Sequence, residues 1–546
     1  MKSRAELLDR LRSESFDILI IGGGITGCGV ALDAVTRGLR VALLEKNDFA
    51  SGTSGKSTKL IHGGLRYLKQ LEFGLVREVG SERAVVHTLA PHLVVPEKML
   101  LPLYDKRGLG YWLTSIGLKI YDWLAGVRTQ DQRRMLTRKQ TIRREPLLRN
   151  TDVKGGALYA EYRTDDARLT IEIAKTAVRH GAVLVNYLQV TDFVKEQNTI
   201  CGVIARDRRS GEEFMIRAKV AVNAAGPWVD ELRKSDRSLH GKRLHLSKGV
   251  HIVVAREKLP VSQAIYFDVE EDSRMIFAIP RGRVTYVGTT DTSYHGSQDE
   301  VRATTADAEY LISAVNRTFP AVNLSVNDVE SSWAGLRPLI HEDGKAASDL
   351  SRKDEIFVSD SGLISIAGGK LTGYRKMAER VVNLVAKKHF TGIRLNPSMT
   401  SRLRLSEHTS PISLSEANML FSDLQDNLKS YNFQTYIIRQ LLENFGYSST
   451  EIVRIFERVR NGRDDILCLI LAQLQFCVEH EMVQTSADFF VRRTGLLFFD
   501  ISLVVTYYRP VLEALSITMN WSAEQMTKEI SEIEKLLADA QLKTIG

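Results

Sequence analysis

The chain has 546 residues, enough for roughly three to four domains at about 150 residues each. Apolar residues make up 44% and charged residues 26%, which excludes wholesale disorder and a collagen-like or coiled-coil fibre. Lys and Arg exceed Asp and Glu by eight (74 against 66), a mild excess that suits an anionic substrate or lipid surface without demanding nucleic acid.

The first ten residues carry charges but no apolar core, so no secretory signal is expected. Phe16–Ile21 (FDILII) is an apolar, β-branched run that predicts a buried parallel strand. Gly22–Gly24 break it, residues 26–38 predict a helix closed by Gly38, and Arg40–Glu45 (RVALLE) predicts a second strand. Val220–Ala225 and Leu363–Ala367 are further buried-strand signals, each running into glycine, and the second leads into a helical stretch over about 371–387. Units so far apart imply one nucleotide-binding domain interrupted by insertions. Between about 240 and 350 strand signals alternate with turns (HIVV, MIFAIP, VTYVGTTD), which predicts a second, sheet-based domain. Residues 396–411, with two Pro and many Ser and Thr, read as a linker. Beyond it the pattern is helical, with capping boxes at Ser448/Glu451 and Ser522/Gln525 and an apolar stripe Met526, Ile530, Ile533, Leu537. The four Cys include no CxxC pair, so no Cys-rich metal site is expected and reduced thiols in the cytosol are.

The chemistry begins at Gly22-Gly23-Gly24-Ile25-Thr26-Gly27. This GxGxxG follows a strand, opens a helix and is followed by Glu45 at the end of the next strand. Gly22 permits the tight turn, Gly24 lets a diphosphate approach, and Gly27 lets helix and strand pack. The helix N-terminus offers free N–H groups to the diphosphate. Glu45 can accept both ribose hydroxyls and would repel a 2′-phosphate, so FAD or NAD fits better than NADP. The small, polar run Ser51–Tyr67 and the glycine-flanked string Gly368–Gly373 point to FAD, with the second helix N-terminus facing a reduced flavin.

The chain resembles the FAD-dependent glycerol-3-phosphate dehydrogenases. The matching strings are IGGGITGCG, STKLIHGGLRYL, DDARL (Asp165–Leu169), NAAGPWVD (Asn223–Asp230), SKGVHIVV (Ser247–Val254), GTTDT (Gly288–Thr292), GLRPL (Gly335–Leu339) and GGKLTGYRKMAE. The string EHEMVQTSADFFVRRTGL (Glu479–Leu496) looks like the family's small helical domain. The implied fold is α/β: a Rossmann-like FAD-binding domain with an inserted sheet-based substrate domain and a C-terminal all-helical domain. The FAD-dependent region would span residues 1–395, with FAD-binding parts at about 16–90, 155–240 and 350–390 and substrate parts at about 91–154 and 241–349. The linker would be 396–411 and the helical domain 412–546.

The resemblance implies oxidation of sn-glycerol 3-phosphate to dihydroxyacetone phosphate, with electrons passing to FAD and then to a membrane quinone. Oxygen is the acceptor in related oxidases, and an amino-acid-oxidase-like activity is the other alternative. It places Arg66, Tyr67, His251, Arg337 and Lys370 around the substrate, since a phosphate dianion needs convergent cationic donors. His251 is the candidate base, against a packed histidine in an apolar strand. Arg337 competes with it by stabilising an alkoxide. FAD contacts are expected from Gly22, Gly24, Ile25, Thr26, Gly27, Glu45, Lys46, Thr53, Ser54, Lys59, Leu60, His62, Gly63 and Gly64. More are expected from Ala225, Gly226, Trp228, Gly369, Lys370, Leu371 and Thr372. Trp228 also reads as a packing residue closing its turn, and Cys28 as helix packing with no redox role. No metal is expected.

Residues 108–126 are rich in Trp, Tyr, Leu and Ile and lead into Arg128–Glu145, where seven Arg and Lys face two acids. That composition suits a segment lying on an anionic membrane surface, and the alternative is a core helix with a solvated basic loop. No membrane span is read. The expected location is cytoplasmic with peripheral contact at the inner face, and a homodimer is left open. A nucleic-acid-binding protein with a structural FAD is disfavoured, because no such module is present and the basic run lacks interleaved aromatics.

Overall fold

The computed structural model describes residues 3–61, 73–104, 114–115, 117–120, 132–269, 274–341, 353–405, 414–431, 433–460 and 462–543. In chain order the site-bearing elements are strand β1 (Ser15–Ile21), helix α1 (Ile25–Thr36), β2 (Val41–Leu44), α2 (Asp166–Arg179) and β3 (Glu213–Asn223). They continue with β4 (Leu244–Ala255), β5 (Val329–Ile340), β6 (Ile364–Gly368), α3 (Tyr374–His389), α4 (Asp465–Glu481) and α5 (Ala523–Ala540).

Among the described residues the first sheet has eight strands, with β6, β3, β1, β2 and Val183–Val185 side by side and parallel. Asp354–Val358 adds an antiparallel edge beside β6, and the hairpin Leu188–Glu196/Thr199–Asp207 pairs with the first half of β3. β1 sits where the chain order reverses, with β2 on one side and β3 on the other. In such sheets ligands bind beyond the carboxyl ends of the strands at that switch point. β1 is buried from Phe16 onward, as an apolar β-branched run covered on both faces must be. Helices α1, α2 and α3 cover one face, where Val30, Leu32, Leu169, Ile173, Val381 and Val382 close a core over β1 and β3.

The second sheet has ten strands among the described residues. β4 lies between β5 and Val284–Gly288, antiparallel to both, so His251 stands opposite Trp333 and Ser247 opposite Arg337. Val95–Tyr104, Val153–Arg163 and Leu60–Ile61 also belong to this sheet. A boundary near residue 155 therefore cuts through one of its strands; neighbouring strands from distant chain segments leave no local signature.

Residues 396–405 are seated on the first domain. Ser398 donates to Asp33 at 2.5 Å, Leu405 N–H donates to Leu89 O at 3.0 Å, and Leu405 is buried. The helical region ends in α5, capped by Ser522, which accepts from Gln525 N–H at 3.2 Å. The stripe of α5 packs into the core shared by the helices and the second sheet. The other expected cap is not formed. Ser448 is the first residue inside its helix (Ser448–Val459), Tyr447 holds the cap position without a side-chain cap bond, and the Ser449 and Thr450 hydroxyls donate to Gly446 O and Tyr447 O. Gly446, at φ +54°, turns the chain directly into the helix and leaves Ser448 no capping position.

Candidate active site

The glycine loop behaves as its spacing demands. Gly22 sits at φ +112°, and a side chain there would meet Ala224 O at 2.6 Å. A side chain at Gly27 would overlap Gly22 O, so the close helix–strand approach needs glycine. A side chain at Gly24 would meet only Ser54 Oγ, at 3.1 Å, so this side of the loop is open. Ile25 N–H donates to Ser54 Oγ at 2.9 Å and the first intrahelical bond runs from Cys28 N–H to Gly24 O at 2.9 Å, so Thr26 and Gly27 carry the N–H groups that a helix N-terminus leaves for an anion. Glu45 closes the far end. Its carboxylate accepts Gly23 N–H at 2.6 Å and Asn47 N–H at 2.8 Å. Burial pushes its pKa up, against the pull of those two N–H groups.

These groups line one cleft between the two sheets, of about 1220 Å³ including its mouth. Its wall brings together Gly22, Gly24, Ile25, Thr26, Glu45, Lys46, Thr53, Ser54, Ala225, Gly226 and Trp228 with Gly369, Lys370 and Leu371. Three segments far apart in sequence thus meet because β1, β3 and β6 are parallel neighbours. Thr53 donates to Leu336 O at 2.7 Å and ties the wall to β5. Lys46 Nζ lies 4.2 Å from the Trp228 ring centre and 2.7 Å from Asp299. Trp228 Nε1 is buried without a protein partner.

Beside this cleft stand His251 and Arg337, on adjacent strands. His251 is 1% exposed, stacks on Trp333 at 4.7 Å and shares a 3.0 Å hydrogen bond through Nε2 with Thr58 Oγ1. Its Nδ1 is buried with no protein partner. Burial, then the positive charges of Arg337 and Lys59, hold the imidazole pKa well below its ordinary value, so the ring is neutral near pH 7. Arg337 donates through Nη2 to Thr289 Oγ1 at 2.8 Å and through Nη1 to Thr290 O at 3.2 Å and Asp291 at 3.3 Å. Side chains at Gly249 and Gly288 would overlap Arg337 and His251, respectively, so both glycines make room for the pair.

Residues 17–375 match the family model of the FAD dependent oxidoreductases, and residues 408–526 match the C-terminal domain of alpha-glycerophosphate oxidase. The aerobic glycerol-3-phosphate dehydrogenase of Bacillus subtilis (strain 168) is 47% identical over 549 residues, covering 98% of this chain and 97% of that protein. The chain belongs to the FAD-dependent oxidoreductases, in the family of the aerobic glycerol-3-phosphate dehydrogenases. The crystal structure of the Bacillus halodurans glycerol-3-phosphate dehydrogenase, complexed with FAD, superposes with a TM-score of 0.84 at 44% identity, over 100% of this chain and 99% of that one. The L-alpha-glycerophosphate oxidase of Mycoplasma pneumoniae shares the fold, with a TM-score of 0.56 at 18% identity over 72% of this chain and 99% of that one.

The residues of this FAD-dependent oxidoreductase fit its cofactor. The open face of Gly24 and the first turn of α1 suit a diphosphate, and Glu45 keeps lone pairs for ribose hydroxyls beyond its two N–H bonds. The unpartnered Trp228 Nε1 is a further donor in the cleft wall. Other expected contacts lie elsewhere. Lys59 holds its amine in a buried ion pair, 2.6 Å from Asp166 and 3.5 Å from Asp165. That pair pins the run 51–61 to the start of α2, helped by Ser57 N–H donating to Asp166 at 2.9 Å. Burial forbids an unpaired ammonium, so the carboxylates decide where Lys59 points. Leu60 packs in the core of the second sheet, and Thr372 is buried in the 3₁₀ turn Leu371–Gly373 behind the wall. Cys28 is fully buried, and burial, with Glu45 nearby, raises its thiol pKa. His62, Gly63, Gly64, Arg66 and Tyr67 lie outside the described residues.

Sequence reasoning passed over Thr58, Thr289, Asp291, Gly249 and Gly288. All stand in strings that carry the resemblance (STKL, GTTDT, SKGVHIVV), and that was the available signal. Among the described residues no group of three His, Cys, Asp or Glu side chains is placed to hold a metal ion, and no helix is long and apolar enough to cross a membrane.

Proposed function

We propose that this protein oxidises sn-glycerol 3-phosphate at C2 to dihydroxyacetone phosphate and passes the electrons to a membrane quinone. The observation that carries the reading is the neutral histidine and the arginine on adjacent strands beside an FAD cleft. FAD, when bound, supplies the two-electron acceptor whose N5 takes the hydride from C2. His251, uncharged near neutral pH, accepts the proton of the C2 hydroxyl, and Thr58 orients the imidazole through Nε2. Arg337, held on three sides by Thr289, Thr290 and Asp291, offers its guanidinium to the negative charge developing on that oxygen. Arg66, Tyr67 and Lys370 are the proposed partners of the phosphate dianion, with Lys370 in the cleft wall.

A quinone stays in the bilayer, so the enzyme has to touch the membrane. The aromatic run 108–126 and the basic run 128–145 are the proposed contact, on the cytoplasmic face. Of these runs the structure describes 114–115, 117–120 and 132–145, where Arg134–Thr137 is a strand paired with Val153–Arg163 and leads into the helix Arg138–Arg144.

The test is the visible spectrum of the purified holoenzyme under anaerobic conditions. Addition of sn-glycerol 3-phosphate bleaches the flavin band, and readmitted oxygen restores it slowly while a soluble quinone restores it fast. Fast recovery in oxygen alone would make the enzyme an oxidase. An unchanged band would remove the substrate assignment, and amino acids would be tried next. Sedimentation with anionic liposomes at low salt tests the membrane contact, and failure to co-sediment refutes it.

A further inference from the structure

The FFVRRTGL run of the helical domain has no part in the chemistry above, yet it bonds the segment that follows Glu45 of the cleft wall. Asp488–Arg493 forms a π-helical turn after α4, a local irregularity often found at functional positions. The turn sets Arg492 and Arg493 together over the segment that follows β2. Arg493 grips Asp48 with a two-pronged fork, Nη1 to Oδ2 at 2.5 Å and Nη2 to Oδ1 at 3.0 Å. Arg492 Nε adds a third bond to Oδ2 at 2.5 Å, and Asn186 Nδ2 donates to Oδ1 at 3.0 Å. Asp48 and Arg493 are both completely buried. Arg492 is itself fixed to Asp488 at 2.5 Å, and Arg493 donates to Glu481 O at 2.6 Å, so the cations are braced from behind. Burial alone would raise the Asp48 pKa, but the two guanidiniums outweigh it and keep the carboxylate charged.

Asp48 lies three residues beyond Glu45. Asn47, between them, donates its N–H to the Glu45 carboxylate. The residues after Asp48 touch the glycine loop: a side chain at Gly23 would meet Phe49 at 2.7 Å, and Ala50 N–H donates to Gly23 O at 3.0 Å. Ala50 sits at φ +61°, a left-handed conformation that persists only where the surroundings hold it. A continuous line of contacts therefore runs from the helical domain through Asp48 to both Glu45 and Gly23.

We propose that Arg493, seconded by Arg492, is a positioning residue for the cofactor. Through Asp48 it holds residues 45–50 in the conformation that presents the Glu45 carboxylate and the glycine loop to FAD. The helical domain is thereby a clamp on the adenosine end of the cofactor, 445 residues along the chain from the segment it holds.

The test uses holoenzyme carrying Asp48→Asn, which keeps the shape and removes the charge, or Arg493→Lys, which keeps the charge and loses the fork. FAD release is followed by the rise of free-flavin fluorescence well below the melting temperature. The melting temperature is read by far-UV circular dichroism with and without added FAD. Both variants are expected to release FAD at least fivefold faster, and the gain in melting temperature on adding FAD is expected to shrink. Release less than fivefold faster in a folded variant would overturn the proposal. So would an undiminished gain from FAD, since a weld between domains lowers both melting temperatures equally. Should either variant fail to fold, Arg492→Gln, which leaves the Arg493 fork in place, decides by the same criteria.

Discussion

Replacing His251 by Ala removes the neutral nitrogen proposed to accept the hydroxyl proton. A positioned general base contributes roughly 10²–10⁴ in rate. The surroundings of His251 argue for the lower end. Its pKa is depressed by burial, Arg337 and Lys59, so it is a weak base, and its protonated form would face two cations. A fall in turnover of about 10² is therefore expected, some 2.7 kcal/mol of barrier at about 1.4 kcal/mol per factor of ten. Arg337→Ala, by analogy with an oxyanion-hole donor, costs about 10²–10³. Neither change strips the cofactor, because neither side chain lines the FAD cleft. His251→Ala also forfeits the stack on Trp333, worth about 0.5–1.5 kcal/mol, which a protein of ordinary stability survives. The assay is anaerobic stopped-flow bleaching of the flavin band, with FAD content measured on the same sample. Turnover within tenfold of the parent in both Ala variants, with FAD bound, would refute the assignment. The pH profile is a second check. Because the imidazole pKa is depressed, the acid limb of kcat/KM should lie below about pH 6.5, and a limb above that value would contradict the geometry.

Two further outcomes follow from buried charge. Glu45→Gln loses one of two charge-assisted acceptors for backbone N–H groups and the charge facing the ribose, at about 1.5–3 kcal/mol, so FAD affinity should fall about tenfold to a hundredfold in a flavin-fluorescence titration. His92 is pushed down to about 3 by burial and then by Arg168 and Lys175. Its folded pKa lies below the unfolded one of about 6.5, so the unfolded chain binds the proton first as the pH falls. Stability is intact above about pH 6.5 and is lost below it, by about 2 kcal/mol at pH 5. Melting temperature should therefore drop between pH 7 and 5 more steeply in the parent than in His92→Gln, and equal slopes would remove His92 from the account.

The sequence by itself determined the elements whose physics is local. The β-branched run Phe16–Ile21, the GxGxxG spacing and Glu45 at the end of the next strand specify a strand, a turn and a helix within 30 residues. Gly27 there answers a steric demand within the loop itself, the carbonyl oxygen of Gly22. The apolar stripe of α5 was legible for the same reason. The strings around His251, Arg337 and Gly368–Gly373 marked the remaining wall of the site only through resemblance, since spacing alone says nothing of which distant strands pair.

Tertiary structure decided the rest. The parallel order β6–β3–β1–β2 draws residues 22–26, 225–228 and 369–371 into one cleft, and each pairing joins segments a crossover apart or more. The antiparallel register of β4 with β5 sets Arg337 opposite Ser247 and His251 opposite Trp333, and a slip of one residue would send both to the other face. Lys59 and Leu60 stand in the same polar string as Thr53 and Ser54, yet buried carboxylates on α2 and the second sheet claim them. The clasp of Asp48 by Arg492 and Arg493 was invisible for the same reason: charges so far apart in sequence become partners only when folding removes the water that would otherwise solvate them.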